Sequence, residues 1–329
     1  MVKTILVVVL AGVLAIGIGA LVLETGMMDI PLSRLEATYK TPASKFMDID
    51  GIRVHYTDEG PREAPVMVML HASYMHLRTF DEVVKPIIAK YRVVRFDFPA
   101  AGITGLDPKK RYSVELNTML LEELTKRLGI EKFHLFGTSS GGPVAFRYAA
   151  DHPERIQRLI LINTAGMPRT AATNPNRRRG SALGRWFIDR WQTKSYLRRN
   201  LTENFTSMPP PDWLVDMNYE IGRRVGQREV ETFTANFKTG DPQAVFGRIK
   251  APTLIMWGMN NPTVVHLEAD AISLWLSSAP SLVIKYPKVG HYLYLEIPDQ
   301  VAADIVAFLG GEKDSDLRVT QRVPVASAN

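Results

Sequence analysis

The stretch Phe133-His134-Leu135-Phe136-Gly137-Thr138-Ser139-Ser140-Gly141-Gly142 decides the fold. Phe133 to Phe136 is a short, mostly apolar run that suits a buried strand, and Gly141 to Ala150 carries apolar residues at helical spacing. Gly137 and Gly141 stand two residues either side of Ser139. A strand turning sharply into a helix through such a corner pushes the central hydroxyl out at the strand's carboxyl end, where the helix amino terminus stabilises negative charge. Ser139 is therefore the candidate nucleophile, with Gly137 and Gly141 as the elbow glycines. Ser140 is the competitor, but it lacks glycines at that symmetrical spacing. A G-x-S-x-G pattern also arises by chance in glycine-rich turns, so its weight comes from the strand before it and the helix after it.

Outward from this corner the chain repeats the same alternation. Residues 66–70 (V-M-V-M-L), 91–96 (Y-R-V-V-R-F), 159–162 (L-I-L-I), 253–257 (T-L-I-M-W) and 282–286 (L-V-I-K-Y) are mostly apolar runs suited to parallel strands buried on both faces. Segments 79–89, 113–128, 267–276 and 298–309 carry helical spacing. Ahead of them, K-F-M-D-I-D and I-R-V-H-Y-T alternate apolar and polar residues around Gly51, which predicts an antiparallel hairpin with one covered face. The expected fold is α/β, a mostly parallel sheet with helices on both faces. One interval breaks the rhythm, because Pro168 to Lys250 separates two successive strands where one helix would suffice. It holds Trp186, Phe187, Trp191, Phe205, Trp213, Phe233 and Phe237 among charges, with a Pro-Pro-Pro stop at 209–211, and predicts an inserted set of amphipathic helices.

Composition narrows the chemistry. A length of 329 residues fits one large domain with an insertion, and 46% hydrophobic against 22% charged residues excludes disorder. With no cysteine, disulfide scaffolds, thiolate metal sites, iron–sulfur clusters and a cysteine nucleophile are excluded. No histidine pair has the spacing of a metal motif, and neither metal nor cofactor is implied. The net charge of +6 is local, since Arg169, Arg177, Arg178, Arg179, Arg185, Arg190, Lys194, Arg198 and Arg199 face only Asp189 between residues 168 and 200. An exposed helix face is the plain explanation and a membrane surface the next; no nucleic-acid module accompanies the patch, so no nucleic-acid partner is expected.

Thr4 to Leu23 contains no charge, and as a helix rising about 1.5 Å per residue it reaches about 30 Å, one bilayer core. An uncleaved membrane anchor over residues 1–24 is expected. A cleaved signal peptide is the alternative, with Lys3 as the basic start and Gly19-Ala20 as small residues, but the run exceeds a usual signal core and no strong cleavage site precedes Glu24. Lys3 on one side, with Glu24 and Asp29 on the other, places the body of a single-pass protein on the non-cytoplasmic side. Residues 25–44, with Pro31 and Pro42, read as a linker, and 312–329 as a polar tail.

From about residue 45 to 310 the chain resembles the α/β-hydrolases of the serine-nucleophile superfamily that carry a helical cap. The segments that carry the resemblance are V-M-L-H-A-S-Y, R-F-D-F-P-A-A-G-I-T-G, the serine corner, H-P-E-R-I-Q-R-L-I-L-I-N, P-T-L-I-M-W-G-M-N-N-P and V-G-H-Y-L-Y-L-E-I-P. It implies a core in two parts, 45–167 and 251–311, interrupted by a cap at 168–250 that covers the site and selects substrates. His291, after Gly290 in the loop following the last strand, is the expected general base, since a serine hydroxyl is a poor nucleophile until an imidazole takes its proton. His266, the other histidine after the cap, reads as a surface or capping residue, and His55, His76, His134 and His152 as structural. The expected oxyanion hole is the backbone N–H groups of Ser73 and Ser140. Ala72 stands where the family usually has glycine, and Pro99-Ala100-Ala101-Gly102 replaces its common P-G-x-G. Either change reshapes the site mouth or simply fits there.

The sharper departure is Asn261, at the position of the family's triad aspartate. An asparagine carbonyl accepts an imidazole N–H but supplies no charge, and its amide group favours the wrong tautomer. In a serine-protease triad the Asp-to-Asn change costs about 10⁴ in turnover. Three readings follow: an attenuated hydrolase, a site that uses Glu268 or Asp270 as substitute acid, or a fold whose hydrolytic role has lapsed. The expected function is hydrolysis of an ester-like carbonyl substrate through an acyl-enzyme, with lactone or C–C cleavage as related chemistries. The expected substrate is a small, apolar molecule. The alternatives are a noncatalytic binding homologue and a cofactor-free lyase, peroxidase or oxygenase.

Overall fold

The computed structural model describes residues 2–167, 193–227, 230 and 240–311. Eight strands form one sheet: β1 (Lys45–Ile49), β2 (Ile52–Glu59), β3 (Val66–Leu70), β4 (Arg92–Phe96), β5 (Phe133–Thr138), β6 (Ile156–Ile162), β7 (Thr253–Gly258) and β8 (Ser281–Tyr286). Their order is β1-β2-β4-β3-β5-β6-β7-β8. β1 and β2 form the expected hairpin, β2 joins β4 antiparallel, and every pairing from β4 to β8 is parallel.

Successive residues of each central strand enter opposite cores. Val68 and Leu70, Leu159 and Leu161, and Ile255 and Trp257 point into one core, while Met67 and Met69, Ile160 and Ile162, and Leu254 and Met256 point into the other. This is why the strands read as unbroken apolar runs. Helices Val114–Arg127 and Gly141–Asp151 cover the first face through Leu120, Leu124, Val144 and Phe146. Asp81–Val84 and Pro298–Leu309 cover the second through Val83, Val301, Ile305 and Phe308.

The helix expected over 79–89 is shorter. A 3₁₀ turn, Leu77–Phe80, leads into Asp81–Val84, and Pro86 has no N–H to bond to the Glu82 carbonyl and extend the helix. The 25–44 segment is also more structured than a tether. It contains helix Leu32–Tyr39 with Leu35 fully buried. It also bonds to the inserted segment: Ile30 N–H donates to Arg223 O at 2.7 Å, Val225 N–H to Ile30 O at 3.1 Å, and Tyr39 OH to Glu220 at 2.8 Å.

Helix Val2–Glu24 contains a stretch, Thr4–Val22, long and apolar enough to cross a membrane. That property is shared by an anchor and a signal sequence. Within the inserted segment, helices Lys194–Thr202 and Asp212–Ile221 pack Leu197, Leu201, Leu214 and Val215 onto the second core. The basic stretch from 168 to 192, the aromatic residues Trp186, Phe187, Trp191, Phe233 and Phe237, and the tail after Gly311 lie outside the described residues.

Candidate active site

Strand β5 ends at Thr138, helix Gly141–Asp151 starts two residues after Ser139, and Ser139 takes a left-handed φ of +49°. Such a conformation costs a non-glycine residue of order 1–3 kcal/mol and is held only where the surroundings over-determine it. Here Ser139 N–H donates to Ile162 O at 3.1 Å, and Ser139 O accepts from Gly142 N–H at 3.0 Å and Ala165 N–H at 2.9 Å. The flanking glycines serve close approach. A Cβ at Gly137 would lie 2.6 Å from Ala145 Cβ, and one at Gly141 would lie 2.6 Å from the Leu70 carbonyl. The helix can therefore start directly on the ends of β3 and β5 only with glycine at both places. Ser139 is partly exposed, whereas Ser140 is buried.

The Ser140 hydroxyl is committed, because Ser73 Oγ donates to Ser140 Oγ at 2.8 Å. The two residues expected to supply the oxyanion donors are thus neighbours. Ala72 is 1% exposed and lies outside the left-handed region, so its methyl group fits without backbone strain. The loop is set by His71. Phe98 N–H donates to His71 Nε2 at 2.9 Å, which leaves Nδ1 as the protonated nitrogen and the donor to Ala72 O at 2.8 Å. Below it, buried Asp97 accepts Leu77 N–H at 2.6 Å and Ile103 N–H at 3.2 Å and faces His55 Nδ1 at 2.7 Å. Burial pushes the Asp97 carboxyl up, but the hydrogen bond with His55 holds it below the usual range.

His291 is 3% exposed, and its Nδ1 lies 3.1 Å from Asn261 Oδ1. The identity of that amide atom decides the imidazole tautomer. Asn261 Oδ1 also accepts Thr263 N–H at 2.9 Å and Val264 N–H at 3.2 Å, and a flipped amide would set its NH₂ against two N–H donors. The oxygen therefore faces His291, Nδ1 carries the proton, and Nε2 keeps the lone pair a general base needs. Asn261 thus fixes the Nδ1-protonated tautomer of His291 without adding charge. Its Nδ2 is buried and has no partner among the described residues.

The substitute acids are elsewhere. Asp270 accepts Lys285 Nζ at 2.6 Å. Glu268 faces the core beside Ala269 and Ile272, its Oε2 has no partner among the described residues, and burial pushes its carboxyl up to about 7. Neither carboxylate bonds to His291. His266 precedes helix Leu267–Trp275 but its side chain makes no cap bond. His76 and His134 are buried and pushed down to about 3 and about 4 by desolvation, which leaves both neutral.

Asn163 joins the site without belonging to any of the expected motifs. It sits fully buried one residue after Ile162, donates from Nδ2 to His291 O at 2.7 Å and accepts Gly258 N–H at Oδ1 at 3.0 Å. The end of β6 thus holds the serine corner through Ile162 and the histidine loop through Asn163. The signal available was a polar side chain closing the apolar run L-I-L-I.

Among curated relatives, a 2-hydroxy-6-oxononadienedioate/2-hydroxy-6-oxononatrienedioate hydrolase of Klebsiella pneumoniae subsp. pneumoniae is 28% identical over 81% of this chain and 95% of its own. Haloalkane dehalogenase 2 of Mycobacterium tuberculosis is 19% identical over 81% and 95%. Among solved structures, a bacterial membrane phospholipase A superposes with a TM-score of 0.67 at 22% identity, covering 94% of this chain and 99% of that one. The enol-lactonase of Burkholderia xenovorans LB400 gives 0.66 at 20% identity over 81% and 100%. The alpha/beta hydrolase fold family matches residues 65–298, and this chain belongs to it.

Proposed function

We propose that the protein is a serine hydrolase of ester-like carbonyl substrates, with Ser139 as nucleophile, His291 as general base, Asn261 as its orienting partner, and the Ser73 and Ser140 N–H groups as oxyanion hole. The observation that carries this reading is the pinned Asn261 oxygen, 3.1 Å from His291 Nδ1, which keeps the imidazole in the tautomer able to deprotonate a serine. His291 takes the Ser139 proton as Oγ attacks the carbonyl. The tetrahedral oxyanion is held by the two N–H groups, and collapse expels the leaving group, which receives the proton from His291. Water then enters and attacks the acyl carbon as His291 takes its proton, and the acyl–Oγ bond breaks as His291 returns that proton to Ser139 Oγ and the acid leaves. Without a carboxylate beside it, the transient imidazolium is less stabilised, so turnover is attenuated.

The inserted segment acts as the cap, and helix Val2–Glu24 as an uncleaved, single-pass anchor that leaves the body on the non-cytoplasmic side. An apolar acyl substrate drawn from lipid suits that arrangement. The similarity to a membrane phospholipase A extends over 94% of the chain, beyond the catalytic core, and supports it. The similarities to a 2-hydroxy-6-oxononadienedioate hydrolase and to an enol-lactonase keep C–C and lactone substrates within the same reading. The missing charge at Asn261 favours one rival, a noncatalytic binding protein.

Fluorophosphonate labelling of the full chain in detergent, beside Ser139→Ala, separates the two. Labelling that the variant abolishes is expected. Folded wild-type protein that stays unlabelled would favour the rival.

A further inference from the structure

The inserted segment meets the histidine loop through bonds that the proposed chemistry does not use. His291 N–H donates to Asn204 O at 2.8 Å. Gly290 N–H donates to Glu296 Oε1 at 2.9 Å, and Glu296 Oε2 accepts Thr206 N–H at 3.0 Å, Ser207 N–H at 2.8 Å and Ser207 Oγ at 2.7 Å. Thr206 Oγ1 donates to Lys288 O at 3.0 Å. Thr263, whose N–H helps pin Asn261, donates from Oγ1 to Asn204 Oδ1 at 2.6 Å. One run of the insertion, residues 204–207, is therefore bonded both to the loop that carries His291 and to the turn that carries Asn261.

Two features show how closely this junction is built. Glu296 is only 9% exposed, and its carboxylate is satisfied by four donors divided between its two oxygens. Gly290 has an ordinary φ, yet a Cβ there would lie 2.4 Å from Asn204 O and 2.8 Å from Glu296 Oε1. The glycine before the histidine is required by the insertion's backbone, which lies against it.

We propose that Asn204 and Glu296 are positioning residues: the run 204–207, bonded to the loops on both sides of the site, mounts His291, which stays in register with Ser139 only while that run is seated. The inference rests on the hydrolase reading above. A base displaced by about 1 Å loses about 100-fold in rate, so the mount matters without touching substrate. Glu296→Gln keeps the volume and removes one acceptor. With its carbonyl turned to the three donors of Thr206 and Ser207, the amide NH₂ faces Gly290 N–H, donor against donor.

The test uses the full chain in detergent, measuring the fluorophosphonate labelling rate per reactive serine and hydrogen exchange of peptides spanning 200–208 and 286–297. In Glu296→Gln the labelling rate falls about 10- to 100-fold while the labelled fraction at completion is unchanged. KM for a short p-nitrophenyl ester stays within about twofold, and both peptides exchange faster together. Thr263→Val keeps the Glu296 bonds, cuts the hydroxyl tie to Asn204 and slows labelling about fivefold; it carries the test if Glu296→Gln does not fold. Unchanged rates per serine, or a 200–208 peptide that loosens while 286–297 exchanges as in wild type, overturn the mount. A wild-type protein that does not label overturns the hydrolase reading instead, and the exchange data alone then decide whether the two segments are coupled.

Discussion

Asn163 Nδ2 donates to the His291 carbonyl at 2.7 Å across the carboxyl end of the sheet. The same amide reaches Gly290 O at 3.3 Å, accepts Gly258 N–H, and sits on a residue with φ +41°. One side chain thus ties the ends of β6 and β7 to the loop after β8. Asn163→Ala leaves buried groups unpartnered at about 1–3 kcal/mol each, so a loss of about 3 kcal/mol is expected in urea denaturation, with slower Ser139 labelling in the folded fraction. Asn163→Asp sets an acceptor against two carbonyls, and its stability should recover on acidification as the carboxyl gains a proton to donate. An unchanged midpoint and labelling rate in Asn163→Ala would show the tie to be redundant.

Asn261→Asp keeps an oxygen for Thr263 N–H, Val264 N–H and His291 Nδ1 and replaces the unpartnered buried NH₂ with a second oxygen. In the proposed reaction the added charge stabilises the imidazolium formed as Ser139 attacks. Ester hydrolysis should rise by at least about 10-fold and by up to about 10⁴, without loss of folding. A variant that folds and stays at the parent's rate would count against His291 as the base.

The sheet and the serine corner were legible because their causes are local. Strands buried on both faces must be apolar throughout, and a strand-to-helix corner that packs against β3 needs glycine at 137 and 141. The orientation of the Asn261 amide was not legible, since it depends on two N–H groups presented by the turn at 263–264. Asn163, Asn204 and Glu296 act between segments far apart in sequence, and each looks like an ordinary polar residue in its own window. Helix Leu32–Tyr39 looks like linker in the sequence because its one fully buried side chain, Leu35, gives almost no periodic signal over eight residues.

Ala100 takes φ +68° where the related pattern carries glycine, and its N–H and C=O both have partners, Gly105 O at 3.3 Å and Gln227 Nε2 at 3.2 Å. An alanine held left-handed costs roughly 1–2 kcal/mol, against about 0.5–1 kcal/mol of extra unfolded-state entropy for glycine. Ala100→Gly should therefore stabilise the fold by up to about 1 kcal/mol, read as a raised urea midpoint at constant slope. A lowered midpoint would mean the methyl group contributes packing that outweighs the strain.

Glu268 gives the fold a pH dependence with a definite sign. Burial lifts its carboxyl from 4.5 to about 7, and the residue is 8% exposed on the inner face of helix Leu267–Trp275. Below about pH 4.5 the folded and unfolded chains both hold the proton, and nothing is lost. Between there and about 7 the unfolded chain releases it while the fold retains it, so stability falls as pH rises, and above about 7 the loss is constant. At about 1.4 kcal/mol per unit the fall amounts to roughly 3 kcal/mol. Glu268→Gln cannot ionise, so it should remove this limb, matching the parent near pH 4 and exceeding it at pH 8 in urea denaturation. Equal pH slopes in parent and variant would assign the loss to other groups and leave Glu268 ionised in the fold, with a cation or ordered water matching its charge.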